Sequence, residues 1–239
     1  MTWDVAVVGL GSAGAAAAAL CAKRGLRVVA LDSRPIDKAG ACWTNGVPYW
    51  VFDTVGIARP VFPERHPGTG RFRMIAGWGP VGMHVQGMTE CDMPLLTQRL
   101  RHLAAKDGAK LMDRVRVLGL DGDVLRTSAG AIVAQCYVDA SGLTGVKLLN
   151  QPRVPRTELC VAAQEVRELA DYDLALEFLH QHGGTEGEAL CFSGVEGGYS
   201  IVMVRIGHGQ VGILTGSVPA LGHLSGRLML NRFVRQQPW

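Results

Sequence analysis

The chain has 239 residues, room for one large domain or one and a half at roughly 100–200 residues per domain. Lys and Arg number 24 against 21 Asp and Glu, a net charge of +3, so no nucleic-acid footprint is visible in the bulk charge. Hydrophobic residues at 48% and charged residues at 19% exclude a disordered chain, and the 31 Gly and 11 Pro signal many tight turns and close backbone approaches.

The first predicted element is a buried parallel strand, Trp3 to Val8, running into Gly9. Gly9-Leu10-Gly11-Ser12-Ala13-Gly14 follows, then an Ala-rich helix over 15–23 that stops at Gly25. A second buried strand, 26–31, ends at Asp32. Strand, GxGxxG, helix, strand and terminal acid, in that order, form a dinucleotide-binding fingerprint. Gly9 permits the tight turn, Gly11 lets the backbone approach a pyrophosphate, and Gly14 lets helix and strand pack closely. The helix N-terminus offers free N–H groups and the positive end of its dipole to phosphates. Asp32 is placed to accept hydrogen bonds from a ribose hydroxyl, and an acid there disfavours a 2′-phosphate, hence NADP. The competing reading is a βαβ unit whose glycines serve packing only, but Gly11 has no packing duty in such a turn.

The apolar stretch 5–20 resembles a signal-peptide core, but an acid precedes it and glycines punctuate it, so no leader is expected. No run of 18 apolar residues exists to span a membrane. The six scattered cysteines form no CxxC pair, which argues against a disulfide framework or a zinc site and for a reducing cytoplasm.

Residues 35–92 read as a long irregular excursion, rich in Gly and Pro and with little helical periodicity; excursions of this length are usually functional. Arg59, Glu64, Arg65 and His66 within it read as solvent-exposed. A helix is predicted over 93–107, with Asp92 as N-cap and Pro94 in its first turn. Leu95, Leu96, Leu100, Leu103 and Ala104 share its apolar face, opposite Gln98, Arg99, Arg101 and Lys106. Short strands follow over 110–112, 114–118, 124–128 and 131–138, with a hairpin turn at Asp121-Gly122. The last runs into Asp139-Ala140-Ser141-Gly142. Beyond 150, strands are predicted over 157–167, 189–193, 199–206 and 210–217, with a helix over 171–182 and an amphipathic helix in the tail from Ser225. His180 and His182 read as surface histidines, since nothing completes a metal set.

This order of GxGxxG, acid, helix, meander and "DASG" resembles the glutathione-reductase-type flavoproteins. It is most similar to their geranylgeranyl reductase, lycopene cyclase, flavin halogenase and monooxygenase branch. The resemblance covers 3–34 and 92–145 well and the later strands more loosely. It implies an α/β fold, α+β overall: a Rossmann-like FAD-binding domain over 1–150, with 35–92 inserted and a β-meander, then an antiparallel substrate-domain sheet over 151–239.

Carried over by position, Gly9, Gly11, Ser12, Ala13 and Gly14 would hold the pyrophosphate, and Asp32, with Ser33 beside it, the adenosine ribose. Arg34 would lie over the adenine and Val115 touch it through its backbone. Asp139, Ser141 and Gly142 would line the flavin side. Members of the family often carry an Arg just before the helix predicted here over 93–107, where this chain has Asp92-Met93-Pro94. Gly40 to Pro48 lies where relatives pass the chain over the flavin. Cys42 there has two readings, a thiol near the ring or a small buried hydrophobe. Trp43 and Trp50 wall a pocket or simply pack. Tyr199, in Gly197-Gly198-Tyr199-Ser200, faces a pocket or packs within its strand. Cys42 and Tyr199 are the catalytic candidates.

The resemblance implies an FAD-dependent oxidoreductase, a reductase or monooxygenase acting on a hydrophobic or aromatic small molecule, with NAD(P)H as electron donor. Two alternatives stand beside it: an NAD-dependent dehydrogenase, which leaves the meander unexplained, and a truncated, non-catalytic nucleotide-binding module. The third rests on the family's Gly-Asp motif after the substrate sheet, for which no counterpart follows Ser217; on this reading the chain lacks its C-terminal part.

Overall fold

The computed structural model describes residues 2–66 and 70–239. They fall into two compact units. Unit 1 comprises Met1–Asn45, Val51–His66 and Cys91–Arg153; unit 2 comprises Gly46–Trp50, Pro67–Glu90 and Val154–Trp239.

In unit 1, strand β1 (Trp3–Val8) leads through the glycine turn into helix α1 (Ser12–Lys23) and then β2 (Val28–Leu31). The helix begins three residues before the predicted start, because Gly11 itself is the N-cap. Helix α3 (Met93–Lys106) precedes β7 (Lys110–Met112), β8 (Val117–Asp121), β9 (Val124–Thr127) and β10 (Gly130–Asp139). The sheet runs β7-β2-β1-β10-β9-β8. β1 pairs in parallel with both β2 and β10, while β10, β9 and β8 form an antiparallel meander. Alternation along β1 sends Val5 and Val7 to a core shared with α1 and α3, and Ala6 and Val8 to a second core with Val115, Val117 and Leu125. The strand predicted at 114 begins at Val117 instead: Arg114 adopts φ +55°, which breaks the extended chain before it can pair.

The described residues of segment 35–92 are more regular than expected. They hold β3 (Thr44–Pro48), α2 (Tyr49–Val55), β4 (Phe72–Ala76), β5 (Gly82–Val85) and β6 (Met88–Asp92). β3 and β6 pair with each other. β4 and β5 belong to unit 2, whose sheet runs β11-β14-β13-β12-β4-β5 through β11 (Val161–Glu168), β12 (Ala189–Ser193), β13 (Ser200–Gly207) and β14 (Gln210–Ser217). Every pair in it is antiparallel except β4 with β12.

One face of this sheet carries Ile75, Leu190, Phe192, Val202, Val204 and Ile213 into a core closed by α4 (Tyr172–Gln181) and α5 (Gly226–Gln236). His182 is not a surface histidine: its ring packs edge-on against Phe178 and Phe192 at 4.9 and 4.8 Å, and burial lowers its pKa. Glu64 is likewise not exposed but buried, with a two-pronged ion pair to Arg99 at 2.6 and 2.8 Å. No helix among the described residues is long and apolar enough to cross a membrane.

Candidate functional site

Unit 1 contains a cavity of about 780 Å³ at the C-terminal ends of β1 and β2. Five segments line it: the glycine turn with the start of α1, residues 31–34, Gly40, Ala41 and Trp43, residues 115–117, and residues 140–146. In an open α/β sheet this is where ligands bind, outside the carboxyl ends of the parallel strands.

The glycines divide by duty. Gly9 has φ +100°, and a Cβ on it would lie 2.3 Å from the Ala140 carbonyl oxygen. A Cβ on Gly14 would lie 1.8 Å from the Gly9 oxygen, so Gly14 is required by the packing of α1 on its own turn. Gly11 differs: its nearest neighbour for a Cβ is the Gly40 Cα at 3.4 Å, an ordinary contact, and both glycines line the cavity. The protein's own packing therefore admits a methyl group at 11, and the residue borders the cavity. Ser12 and Ala13 are also in the wall. The amides of the first turn of α1 have no intrahelical acceptor, no side chain caps them, and no acid sits in the turn, so the positive end of the helix faces the cavity.

Asp32 is 6% exposed. Its Oδ2 accepts from the Leu10 N–H and its Oδ1 from the Arg34 N–H, both at 2.9 Å, which fixes the carboxylate against the glycine turn. Each oxygen keeps acceptor capacity for a hydroxyl. The Val115 N–H donates to the Asp32 carbonyl at 2.9 Å and ties the 115–117 wall to β2. Ser33 and Arg34 complete this end, together with Arg116, which the sequence reading did not single out.

At the other end, Ser141 and Gly142 are in the wall but Asp139 is not. Its Oδ1 accepts from the Ser141 N–H and hydroxyl, and its Oδ2 from the Leu148 N–H at 2.8 Å. Burial opposes the charge, yet these bonds and nearby Lys147 hold the carboxyl below its usual range. Asp139 thus staples the turn that presents Ser141 and Gly142.

Cys42 is exposed and is not itself in the wall, although its neighbours Ala41 and Trp43 are. Trp50 is 65% exposed. Tyr199 belongs to unit 2, just before β13, and is 57% exposed. Asp92 is spent as the N-cap of α3, accepting from the Leu95 N–H at 2.9 Å. Arg101, assigned by periodicity to the polar face of α3, is buried at 8% exposure and hydrogen-bonds the carbonyl oxygens of Ile36 and Ala39. Those partners are more than 60 residues away, so only the three-dimensional structure reveals them. Among the described residues no group of three His, Cys, Asp or Glu is arranged to hold a metal ion.

No protein-family model matches the chain. A menaquinone reductase of Mycolicibacterium smegmatis is 31% identical over 155 residues, 61% of this chain and 36% of that protein. A geranylgeranyl bacteriochlorophyll reductase-like protein of Thermoplasma acidophilum superposes with a TM-score of 0.76 at 19% identity, over 99% of this chain and 62% of that one. PqsL of Pseudomonas aeruginosa, described as a probable FAD-dependent monooxygenase and also solved with 2-aminobenzoylacetate, gives 0.68 at 14% identity, over 93% and 62%. Halogenase PltM, in a variant solved with FAD, gives 0.66 at 15% identity, over 100% and 56%. The chain therefore has the mixed α/β fold of these proteins. It spans about a third of the length of the curated relative it matches and under two thirds of these solved structures.

Proposed function

We propose that the chain is part of an FAD-dependent oxidoreductase, reductase or monooxygenase in type, which acts on a hydrophobic or aromatic small molecule and takes electrons from NAD(P)H. One observation carries the reading: a single cavity gathers the open glycine Gly11, the bare N-terminus of α1, the fixed carboxylate of Asp32 and the Ser141-Gly142 turn. That set suits a ligand with a pyrophosphate in its middle and a ribose at one end.

In this reading Gly11, Ser12 and Ala13 bind the pyrophosphate through backbone N–H groups. Gly9 and Gly14 shape the turn, and Asp32 accepts from a ribose hydroxyl. Arg34 and Val115 border the adenine, with Ser33 beside the ribose. Ser141 and Gly142 lie toward the flavin, positioned by Asp139. FAD, when bound, supplies the redox step; the protein binds it, orients it and excludes water. Cys42 and Tyr199 remain the proposed candidates for contact with ring or substrate.

Unit 2 supports an apolar substrate. The sheet face away from α4 and α5 carries Leu214, Met203, Cys191, Met74 and Met83 in one cross-strand row. Methionine side chains adapt to irregular apolar shapes. Reduction is favoured over hydroxylation by the likeness to a menaquinone reductase.

The test is titration of the purified protein with FAD, followed by flavin fluorescence and absorbance. Saturable uptake at one site, weakened by Gly11→Ala, is expected. A protein that fails to take up FAD but binds NADH would replace this reading with a dehydrogenase.

A further inference from the structure

Three layers of backbone and side chain stand behind the glycine turn. Gly40 packs directly on Gly11: a Cβ on Gly40 would lie 3.3 Å from the Gly11 Cα, and its φ of +99° suits glycine. Behind Gly40 is the fully buried Thr97 of α3, whose Cγ2 and Oγ1 would each lie 3.5 Å from that Cβ. One turn further along the same helix, the Arg101 guanidinium holds the carbonyl oxygens of Ile36 and Ala39. Segment 36–40 is therefore fastened to α3 by one buried cation, and its last residue forms the cavity wall opposite Gly11.

A fork of N–H donors suits this task, because one Nη reaches two carbonyl oxygens of a bent segment at once. No carboxylate among the described residues forms an ion pair with Arg101, although Asp32 and Asp37 lie near enough to act on it.

We propose that Arg101 is a positioning residue for the pyrophosphate of the bound dinucleotide. It fixes segment 36–40 so that Gly40 closes the cradle against Gly11. The proposal rests on the dinucleotide reading given above. The adenosine end has hydrogen bonds of its own that do not involve Arg101, from the Leu10 N–H to Asp32 and from the Val115 N–H to the Asp32 carbonyl. Loss of Arg101 should therefore weaken ligands that carry a pyrophosphate and spare those that do not.

The experiment is calorimetric titration of the full chain with ADP, FAD and adenosine, for wild type, Arg101→Met and Arg101→Lys. Arg101→Met should bind ADP and FAD about tenfold more weakly, the loss of one charge-assisted hydrogen-bonded anchor. Adenosine binding should be unchanged, and Arg101→Lys should recover part of the loss. Hydrogen exchange on the ligand-free proteins should show segment 36–40 opened in Arg101→Met while β1 and α1 stay protected. A purely structural role would weaken adenosine and ADP together; that result, or an unchanged ratio between them, overturns the proposal. If Arg101→Met does not fold, the ratio in Arg101→Lys decides. If the wild type binds neither ADP nor FAD, the dinucleotide reading falls, and the exchange arm still decides whether Arg101 fastens the segment.

Discussion

Within one six-residue turn, two glycines carry opposite consequences. Gly14→Ala drives a methyl group into the Gly9 carbonyl, so unfolding should become easier by about 1–3 kcal/mol or more, read as a lower melting temperature of the ligand-free protein. Gly11→Ala adds its methyl group at ordinary contact distance from Gly40, so its melting temperature should stay near wild type while FAD uptake falls. Asp32→Ala should do both: it strands the buried Leu10 N–H at a cost of about 1–3 kcal/mol and removes the proposed ribose acceptor, measurable by denaturant unfolding and by titration. These residues were legible in the sequence because their reasons are local. Gly9, Gly11 and Gly14 are spaced by the turn they make, and Asp32 ends the next strand. Arg101 and Glu64 were not, because the carbonyls of Ile36 and Ala39 and the guanidinium of Arg99 that hold them lie tens of residues away. Periodicity places a charged residue on the wet side of a helix unless a distant partner is known.

At the scale of elements, caps and cross-strand pairs set the margins. The Asp92 cap of α3 should be worth about 1 kcal/mol, so Asp92→Ala should lower the free energy of unfolding by that amount, read from denaturant titration, without altering the unit 1 cavity. Asp4 in β1 accepts from the Arg27 side chain and, at 2.7 Å, from its N–H, which holds the Asp4 carboxyl at about 2. A carboxyl held below its unfolded value of 3.8 favours the fold above that pH, and the contribution fades as pH falls through about 2. Melting temperature against pH should therefore drop less steeply below pH 4 in Asp4→Asn than in wild type, followed by circular dichroism. Helices α3 and α4 and strand β14 could be read from sequence because each carries its own cap, period or turn. β4 and β5 could not. They are short and glycine-bounded, and β4 gains its strand character from β12, more than a hundred residues later.

At the scale of the molecule, each unit has its own core, so a ligand of the unit 1 cavity should leave a local signature. FAD at a hundred times its dissociation constant should add about 2.7 kcal/mol to the stability of the state that binds it. Hydrogen exchange should slow in the cavity segments 9–15, 32–34, 40–43, 115–117 and 140–146; protection confined to the sheet of unit 2 would contradict the proposed site. The same parallel pair of β4 and β12 also dictates a timetable. A ribosome makes β4 and β5 early, yet the strand that shelters Phe72 and Ile75 on their other edge is Ala189–Ser193. Until it emerges, the early hairpin waits with an unpaired edge and an uncovered apolar face, the usual substrate of chaperones and of aggregation. Synthesis slowed between residues 90 and 189 should therefore lower the yield of folded protein more than a pause after Ser217, by which point all six strands of the sheet have been made.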